Sequence, residues 1–287
     1  ADLSSEAGAA MIVGIDRLTI RQNQLQHFNS AVFVRPGSGP ANHFDKVHRV
    51  PFGEYIPMAD SLPWVHHLTP FSAGFGIEAG SATSVFQHDR WKLTPLICFE
   101  DTVPHLVRTF VQAAAREGRQ PDLLVNLTND GWFHGSSELD QHLVTSAFRA
   151  IECRTPLVRA VNTGISAIID GDGVIRDPET FIDADATLAA EEIHRDNSLT
   201  KSQQASRIQL VEAARGKTIR DPETGRWHRQ LNAVLVHPVP LDDRTSFYVS
   251  TGDWFAGSCG FFCLALLGLG LYGHVRRRQL SGSPHSE

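Results

Sequence analysis

The sequence has few cysteines and none of the paired spacings that build disulfide frameworks or zinc sites. Its cysteines are Cys98, Cys153, Cys259 and Cys263, and the last two fall in a strongly apolar segment near the C-terminus. That leaves one possible pair elsewhere, which is no disulfide framework. There is no CxxC element, and the fourteen histidines include no HExxH pattern. We therefore expect no bound metal and no cofactor.

An excess of basic charge is missing too. The chain has 26 Lys and Arg against 32 Asp and Glu, a net charge of -6. A nucleic-acid-binding surface needs clustered positive charge, so we expect no nucleic-acid partner. With 287 residues and 41% apolar content, the chain can form one large packed domain or two small ones.

One long apolar run stands near the C-terminus. Residues 255–273, FAGSCGFFCLALLGLGLYG, carry no charge and would span roughly 28 Å as a helix. Aromatic residues flank the run, and Arg276, Arg277 and Arg278 follow it. A buried core helix is the alternative, but three adjacent arginines at its end argue against one. We predict a transmembrane helix at residues 254–274 with a cytoplasmic tail at 275–287, which puts the preceding domain on the periplasmic side of a bacterial inner membrane.

The rest of the chain alternates strand and helix patterns, which predicts an α/β fold with mixed sheets. We expect strands at 11–15 and 29–34, joined by a polar connection, and a hairpin over 84–100 that turns at Asp89 and Arg90. Farther along we expect helices at 104–117 and 138–153, and strands at 122–127, 157–161 and 165–169.

Residues 176–230 differ from the sequence before them. They are polar, have few aromatics, and contain the hexapeptide IRDPET twice, at 175–180 and 219–224. Two copies are too few for a repeat architecture. We interpret this segment as a partly flexible surface insertion that rejoins the sheet at 232–236.

The run PLICFE, residues 95–100, places a single cysteine at the end of an apolar stretch. Free cysteine is among the most often buried residue types, so Cys98 taken alone fits an inert core thiol. A thiol at the tip of a strand becomes a nucleophile when a cation and a base lie nearby. The run alone leaves both interpretations open.

Other short motifs accompany this run. They are DKVHRVPFGEYIP at 45–57, NLTNDGWF at 126–133, QH at 141–142, RAIE at 149–152 and NTGIS at 162–166. Together with PLICFE they resemble, in content and order, the nitrilase (carbon-nitrogen hydrolase) superfamily in the form found in apolipoprotein N-acyltransferases. The resemblance covers most of residues 11–175 and resumes at 251–254. It implies a nitrilase-like α-β-β-α sandwich over residues 1–250.

The resemblance also implies roles for particular residues. Cys98 would attack an ester or amide carbonyl as a thiolate. The Lys46 ammonium and the backbone N–H of Phe99 would stabilise the oxyanion, and each such donor lowers the barrier by about 3 kcal/mol. A glutamate would complete the Glu-Lys-Cys triad as the base. Glu54 would be a second active-site carboxylate, and Glu100 a supporting residue. Trp132 and Phe133 fit the core and the substrate site equally well.

The triad glutamate has no match in this sequence. In the family it lies well upstream of the first strand, and Glu6 stands too close to that strand to match. Several membrane helices would also precede this part. We therefore expect the chain to be the C-terminal portion of the enzyme, either truncated or partnered by a separate N-terminal membrane portion. By itself we expect it to be inactive.

Three functions follow as hypotheses. The first is an N-acyltransferase that moves an acyl chain from a phospholipid, through a thioester on Cys98, to the N-terminal diacylglyceryl-cysteine of a lipoprotein. The second is a membrane-anchored carbon-nitrogen hydrolase, an amidase, with water as the acceptor. The third is an inactive partner domain, since the base is missing. The terminal apolar run and the PFGE form of the lysine loop favour the first.

Overall fold

The computed structural model describes residues 2–21, 23–59, 61, 62, 64, 65, 69, 76–214, 219–221 and 223–281. Its strands are β1 (Met11–Arg21), β2 (Gln24–Arg35), β3 (Gly39–Asp45), β4 (Phe86–His88), β5 (Trp91–Ile97), β6 (Leu123–Asn129), β7 (Leu157–Asn162), β8 (Ala167–Ile169), β9 (Ile175–Arg176), β10 (Thr180–Asp183) and β11 (Ala233–Val236). Its α-helices are α1 (Asp2–Ala7), α2 (Pro104–Arg116), α3 (Glu138–Cys153), α4 (Ala184–Arg195), α5 (Lys201–Ala214), α6 (Phe247–Thr251) and α7 (Trp254–Ser281).

Two sheets form the body of the molecule. One is an antiparallel sheet of order β1-β2-β3, and the other has six strands in the order β4-β5-β6-β7-β8-β9. Strands β5, β6 and β7 run parallel, whereas β4, β8 and β9 pair antiparallel with their neighbours. The predicted α/β fold with mixed sheets is therefore confirmed.

The core lies between the two sheets and beneath two helices. Strand β2 contacts β5 and β1 contacts β6, so the sheets pack face to face. Phe33 and Phe44 of the smaller sheet and Leu96 of the larger sheet belong to one buried cluster. Helix α2 adds Phe110 and α3 adds Leu143 to the same cluster.

The sequence predicted a polar connection between the first two strands, and this prediction is wrong. Strands β1 and β2 continue through it as one hairpin, with Leu18 opposite His27 and Arg21 opposite Gln24. Asn23 has the left-handed φ of 63° that a tight hairpin turn needs. Cross-strand pairing thus overrides the polar composition of this stretch, because each half supplies the other's hydrogen bonds.

The polar segment after β9 contains a two-stranded sheet of its own. Strands β10 and β11 pair with each other, from Thr180 opposite Val236 to Asp183 opposite Ala233. The expectation that residues 232–236 rejoin the main sheet is therefore wrong. Helices α4 and α5 come between these two strands along the chain. Residues 215–218 and 222 of the predicted insertion lie outside the described residues.

The C-terminal segment is helical as predicted. Within α7, Trp254–His274 is long and apolar enough to cross a membrane, with a mean hydropathy of 1.8 and no part of it buried. Residues 282–287 of the predicted tail lie outside the described residues.

Candidate active site

Cys98 stands where β5 ends and a 3₁₀ turn, Cys98–Thr102, begins. Its φ of 54° is left-handed, a conformation that is strained for a side chain of this type. The side-chain amide of Asn126, on the neighbouring strand β6, donates to the Cys98 carbonyl over 3.2 Å. The turn is therefore held from both strands, and it presents the thiol at the strand's end instead of inside the sheet.

Glu100 fastens this turn to the loop that follows β3. Its carboxylate accepts hydrogen bonds from Ile97 N at 2.8 Å, Val47 N at 2.7 Å and His48 N at 3.0 Å. The side chain is fully buried. Burial raises the pKa of Glu100 to about 7, although these three N–H donors and the charge of Lys46 act to lower it. The predicted supporting residue thus acts by joining two loops and does not face the cavity.

Lys46 begins that loop and has no exposed surface. Its ammonium donates to both carboxylate oxygens of Glu54, at 2.7 and 2.8 Å. One of these oxygens also accepts from Val50 N at 2.8 Å, which fixes the Glu54 side chain. Burying a charged group is costly unless it is paired, and Glu54 supplies the pair. The predicted second carboxylate therefore holds the lysine in place.

The groups predicted to surround the thiol do act on it. Burial raises the pKa of the Cys98 thiol; the Lys46 charge, a hydrogen bond with the Thr128 side chain and the N–H of Phe99 all lower it, and the Asp130 charge raises it slightly. The structure thus brings Lys46 and the Phe99 N–H to the same sulfur. Burial outweighs them, so the resting group is a thiol that needs a base.

A cavity of about 740 Å³ opens over the thiol. Cys98, Glu54, Thr128 and Trp132 are among the residues that line it. Trp132 is 80% exposed, whereas Phe133 packs with its ring centroid 5.5 Å from that of Phe99. The sequence left the roles of these two aromatic residues open. In the structure, Trp132 faces the cavity and Phe133 belongs to the core.

A buried ion cluster lies beneath the nucleophile turn, and sequence reasoning missed it. His142 of α3 sits between Asp101, at 2.8 Å from its Nε2, and Asp130, at 3.0 Å from its Nδ1. Arg159 of β7 donates to the same two carboxylates, at 3.0 and 3.3 Å. All four side chains are fully shielded from solvent. Because both imidazole nitrogens face carboxylates, the ring carries two protons.

The electrostatics of the cluster agree with that assignment. Burial acts to lower the pKa of His142, but the hydrogen bonds to Asp101 and Asp130 outweigh burial and raise it to about 9. Burial acts in the opposite sense on both aspartates, and hydrogen bonds with His142 hold each pKa below its ordinary value. The sequence could have indicated that His142 is buried, because it follows Leu139 at helical spacing on the apolar face of α3.

The residues that the structure describes contain no group of three or more His, Cys, Asp or Glu side chains placed to hold a metal ion. Around the cavity the structure places a thiol, a buried ammonium and backbone donors.

A sequence profile of the carbon-nitrogen hydrolase family matches residues 1–186. Curated relatives named apolipoprotein N-acyltransferase include one from Geobacter metallireducens, 41% identical over 61% of this chain and 32% of its own length. Another, from Rhodopirellula baltica, is 34% identical over 59% of this chain and 29% of its own. An amidase from Nesterenkonia sp. AN1, solved with butyramide, is 14% identical and has a TM-score of 0.43 over 61% of this chain and 59% of its own.

The matches span about a third of the length of the curated relatives. The profile, in contrast, covers well over half of this chain and includes both the lysine loop and the nucleophile turn. The chain therefore belongs to the carbon-nitrogen hydrolase family.

Proposed function

We propose that this chain forms part of an apolipoprotein N-acyltransferase, which moves an acyl chain from a phospholipid to the amino terminus of a lipoprotein. One observation carries the proposal. A cysteine in a left-handed turn at a strand end shares its surroundings with a buried ammonium and opens on a large cavity. The names of the curated relatives add the substrate class.

The reaction has two halves. In the first, the Cys98 thiol gives its proton to a base and the sulfur attacks the ester carbonyl of a phospholipid. The oxyanion forms near the Lys46 ammonium and the Phe99 N–H, the C–O bond breaks, and the lysophospholipid leaves with the proton. In the second, the lipoprotein's α-amine attacks the thioester, loses a proton to the base, and the thiol is restored.

The base is proposed to be a glutamate from outside these 287 residues. Glu54 and Asp16 are carboxylates that line the cavity. Glu54 is engaged by Lys46, and Asp16 lies on exposed β1, 3.2 Å from the ring of His27. Both carboxylates already have partners, and we propose that neither takes the thiol proton. We therefore expect the 287 residues alone to bind lipid without turning it over, and a separate or upstream portion to restore activity.

The membrane supplies the setting for both lipid substrates. We propose that Trp254–His274 crosses a bacterial inner membrane, with the arginines after it on the cytoplasmic side. The catalytic domain, residues 1–250, then lies on the periplasmic side. The cavity would face the surface from which a phospholipid ester can be reached.

The experiment compares Cys98→Ala with Cys153→Ala in the full-length protein, in cells that depend on it. Cys153 is a matched control because it is buried at the end of α3, where burial raises its pKa to about 12. Mass spectrometry of lipoprotein N-termini should show free amines with Cys98→Ala and acylated amines with Cys153→Ala.

Each alternative has its own result. Free fatty acid released in place of an acylated amine would indicate the amidase. Normal acylation in the Cys98→Ala variant would leave only the role of an inactive partner domain.

A further inference from the structure

Thr128 occupies the space between the nucleophile and the buried ion cluster. It lies near the end of β6, and its hydroxyl donates to Asp130 Oδ1 over 2.8 Å. Ile97 and Leu127 pair across the parallel strands β5 and β6, so Cys98 and Thr128, the next residue on each, stand side by side and both line the cavity. Interaction with the Thr128 side chain acts to lower the pKa of the Cys98 thiol, so the sulfur is a second acceptor for this hydroxyl. A threonine hydroxyl has one proton to donate, so the two acceptors compete for it.

We infer that Thr128 is a positioning residue whose hydroxyl turns from the Asp130 carboxylate to the Cys98 sulfur when the thiol loses its proton. This rests on the proposed function, in which Cys98 reacts as a thiolate. Thr128 keeps its own proton throughout, and the thiol proton leaves to the base. The inference adds a third group that stabilises the thiolate, besides the Lys46 charge and the Phe99 N–H.

The ion cluster lowers the free-energy cost of rotating the Thr128 hydroxyl away from Asp130. When Thr128 turns away, Asp130 Oδ1 keeps its hydrogen bond to His142 Nδ1 at 3.0 Å, and Oδ2 keeps Arg159 Nη2 at 3.3 Å. The carboxylate is therefore never left buried without a partner, which is the outcome that destabilises proteins most. An Asp130 without these two cations would hold the hydroxyl and oppose the thiolate.

The charged groups that act on the sulfur come from two elements. Lys46, on the loop after β3, favours the thiolate, and Asp130, after β6, opposes it. His142 and Arg159 bring two positive charges against the two negative charges of Asp101 and Asp130. Because these charges nearly cancel, the cluster has little net charge. It therefore acts on the Cys98 thiol through the Thr128 hydroxyl.

The test measures the alkylation rate of Cys98 by iodoacetamide as a function of pH, resolved by peptide mass spectrometry on the full chain. Thr128→Val removes the hydroxyl and keeps the shape, and Thr128→Ser keeps the hydroxyl. Thr94→Val is the matched control, because Thr94 is buried on adjacent β5 and its hydroxyl has no partner among the described residues.

We expect Thr128→Val to raise the midpoint of the alkylation profile by about one pH unit, a fall of about tenfold in rate at pH 7. Thr128→Ser and Thr94→Val should match the parent protein. Should the valine variant not fold, Thr128→Ala carries the same expectation.

An unchanged midpoint in Thr128→Val or Thr128→Ala overturns the inference and leaves the proposed function standing. An equal shift in Thr128→Ser also overturns it, because the hydroxyl would then be irrelevant. A parent protein whose Cys98 resists alkylation at every pH would overturn both.

Discussion

At the scale of single residues, the site depends on an ammonium that is buried before any substrate arrives. Lys46 has no exposed surface, and Glu54 holds its Nζ with both oxygens. An ammonium fixed in this way needs no reorganisation when an oxyanion forms beside it, which is the main source of electrostatic catalysis. The same burial makes the pair sensitive to the loss of either partner.

We expect Lys46→Met to slow acyl transfer by about 10²- to 10³-fold, because it removes an oxyanion donor. It should also lower the melting temperature, because Glu54 loses its ion-pair partner and keeps only the Val50 N–H. The double variant Lys46→Met/Glu54→Gln should recover the melting temperature but not the rate. Calorimetry and turnover in the full-length protein separate the two effects.

Lys92→Met is the control. Among the described residues its ammonium donates to the exposed carbonyl of Gly118, at 3.3 Å, and the substitution should change neither quantity. Full activity in the double variant would show that Lys46 matters for folding alone.

At the scale of elements, the ion cluster joins pieces that the main chain leaves apart. Asp101 comes from the turn after β5, Asp130 from the turn after β6, His142 from α3 and Arg159 from β7. Phe99 stacks on the His142 ring at 5.0 Å between centroids, which continues the cluster into the nucleophile turn. The cluster therefore holds the carboxyl ends of the parallel strands against α3.

This cluster predicts a pH dependence of stability with a definite sign. The pKa of His142 is about 9 in the folded state against an ordinary 6.5, so the folded state keeps a proton that the unfolded state loses. Its contribution is complete below pH 6.5 and disappears as the pH rises through about 9. The free energy of unfolding should fall by on the order of 3 kcal/mol across this window.

Urea unfolding at a series of pH values, with and without His142→Gln, checks this prediction. The variant should be less stable at pH 7 and should lose the decline above pH 7.5, a range chosen to lie above the pKa of Glu100, about 7. His27→Gln, on the exposed β1–β2 hairpin, should retain the decline. A decline that persists in His142→Gln would mean that another group titrates.

The sequence predicted the local elements well and the long-range contacts poorly. The helix pattern at residues 138–153 predicted both ends of α3 correctly. The face that its apolar spacing marks is the face that is buried in the structure. It did not show that His142 meets Asp101, because 41 residues separate them and only packing brings them together. Cys98 and Lys46 are predicted from their motifs, whereas Thr128 enters as a candidate only through the structure.

At the scale of the whole molecule, one helix stands outside the packed domain. Trp254–His274 of α7 carries apolar side chains such as Leu264, Leu267 and Leu271, each more than 60% exposed. Water is an unfavourable neighbour for so much apolar surface, whereas a bilayer of about 30 Å matches a helix of this length. Burial in lipid is the arrangement that we propose for it.

Leu264→Arg/Leu267→Arg should release the protein from membranes. An arginine near the centre of a spanning helix costs about 3 kcal/mol on insertion scales. Alkaline carbonate extraction of the full chain should find the parent in the pellet and the variant in the supernatant. Leu188→Arg/Leu231→Arg, at exposed sites within and directly after the insertion, should stay in the pellet. Equal partition of all three proteins would contradict a spanning role for α7.

The join between α6 and α7 has a consequence for how substrates arrive. Arg108 of α2 donates to the carbonyls of Tyr248 and Ser250, at 2.9 and 3.3 Å, and so docks α6 on the domain. The linker between α6 and α7 consists of Gly252 and Asp253 and is about 7 Å long. With α7 in the bilayer, as we propose, the thiol would stay close to the lipid surface, where the ester groups of the proposed substrate are concentrated. Weak recognition of any one lipid molecule would then suffice, because a short tether can take the place of tight binding.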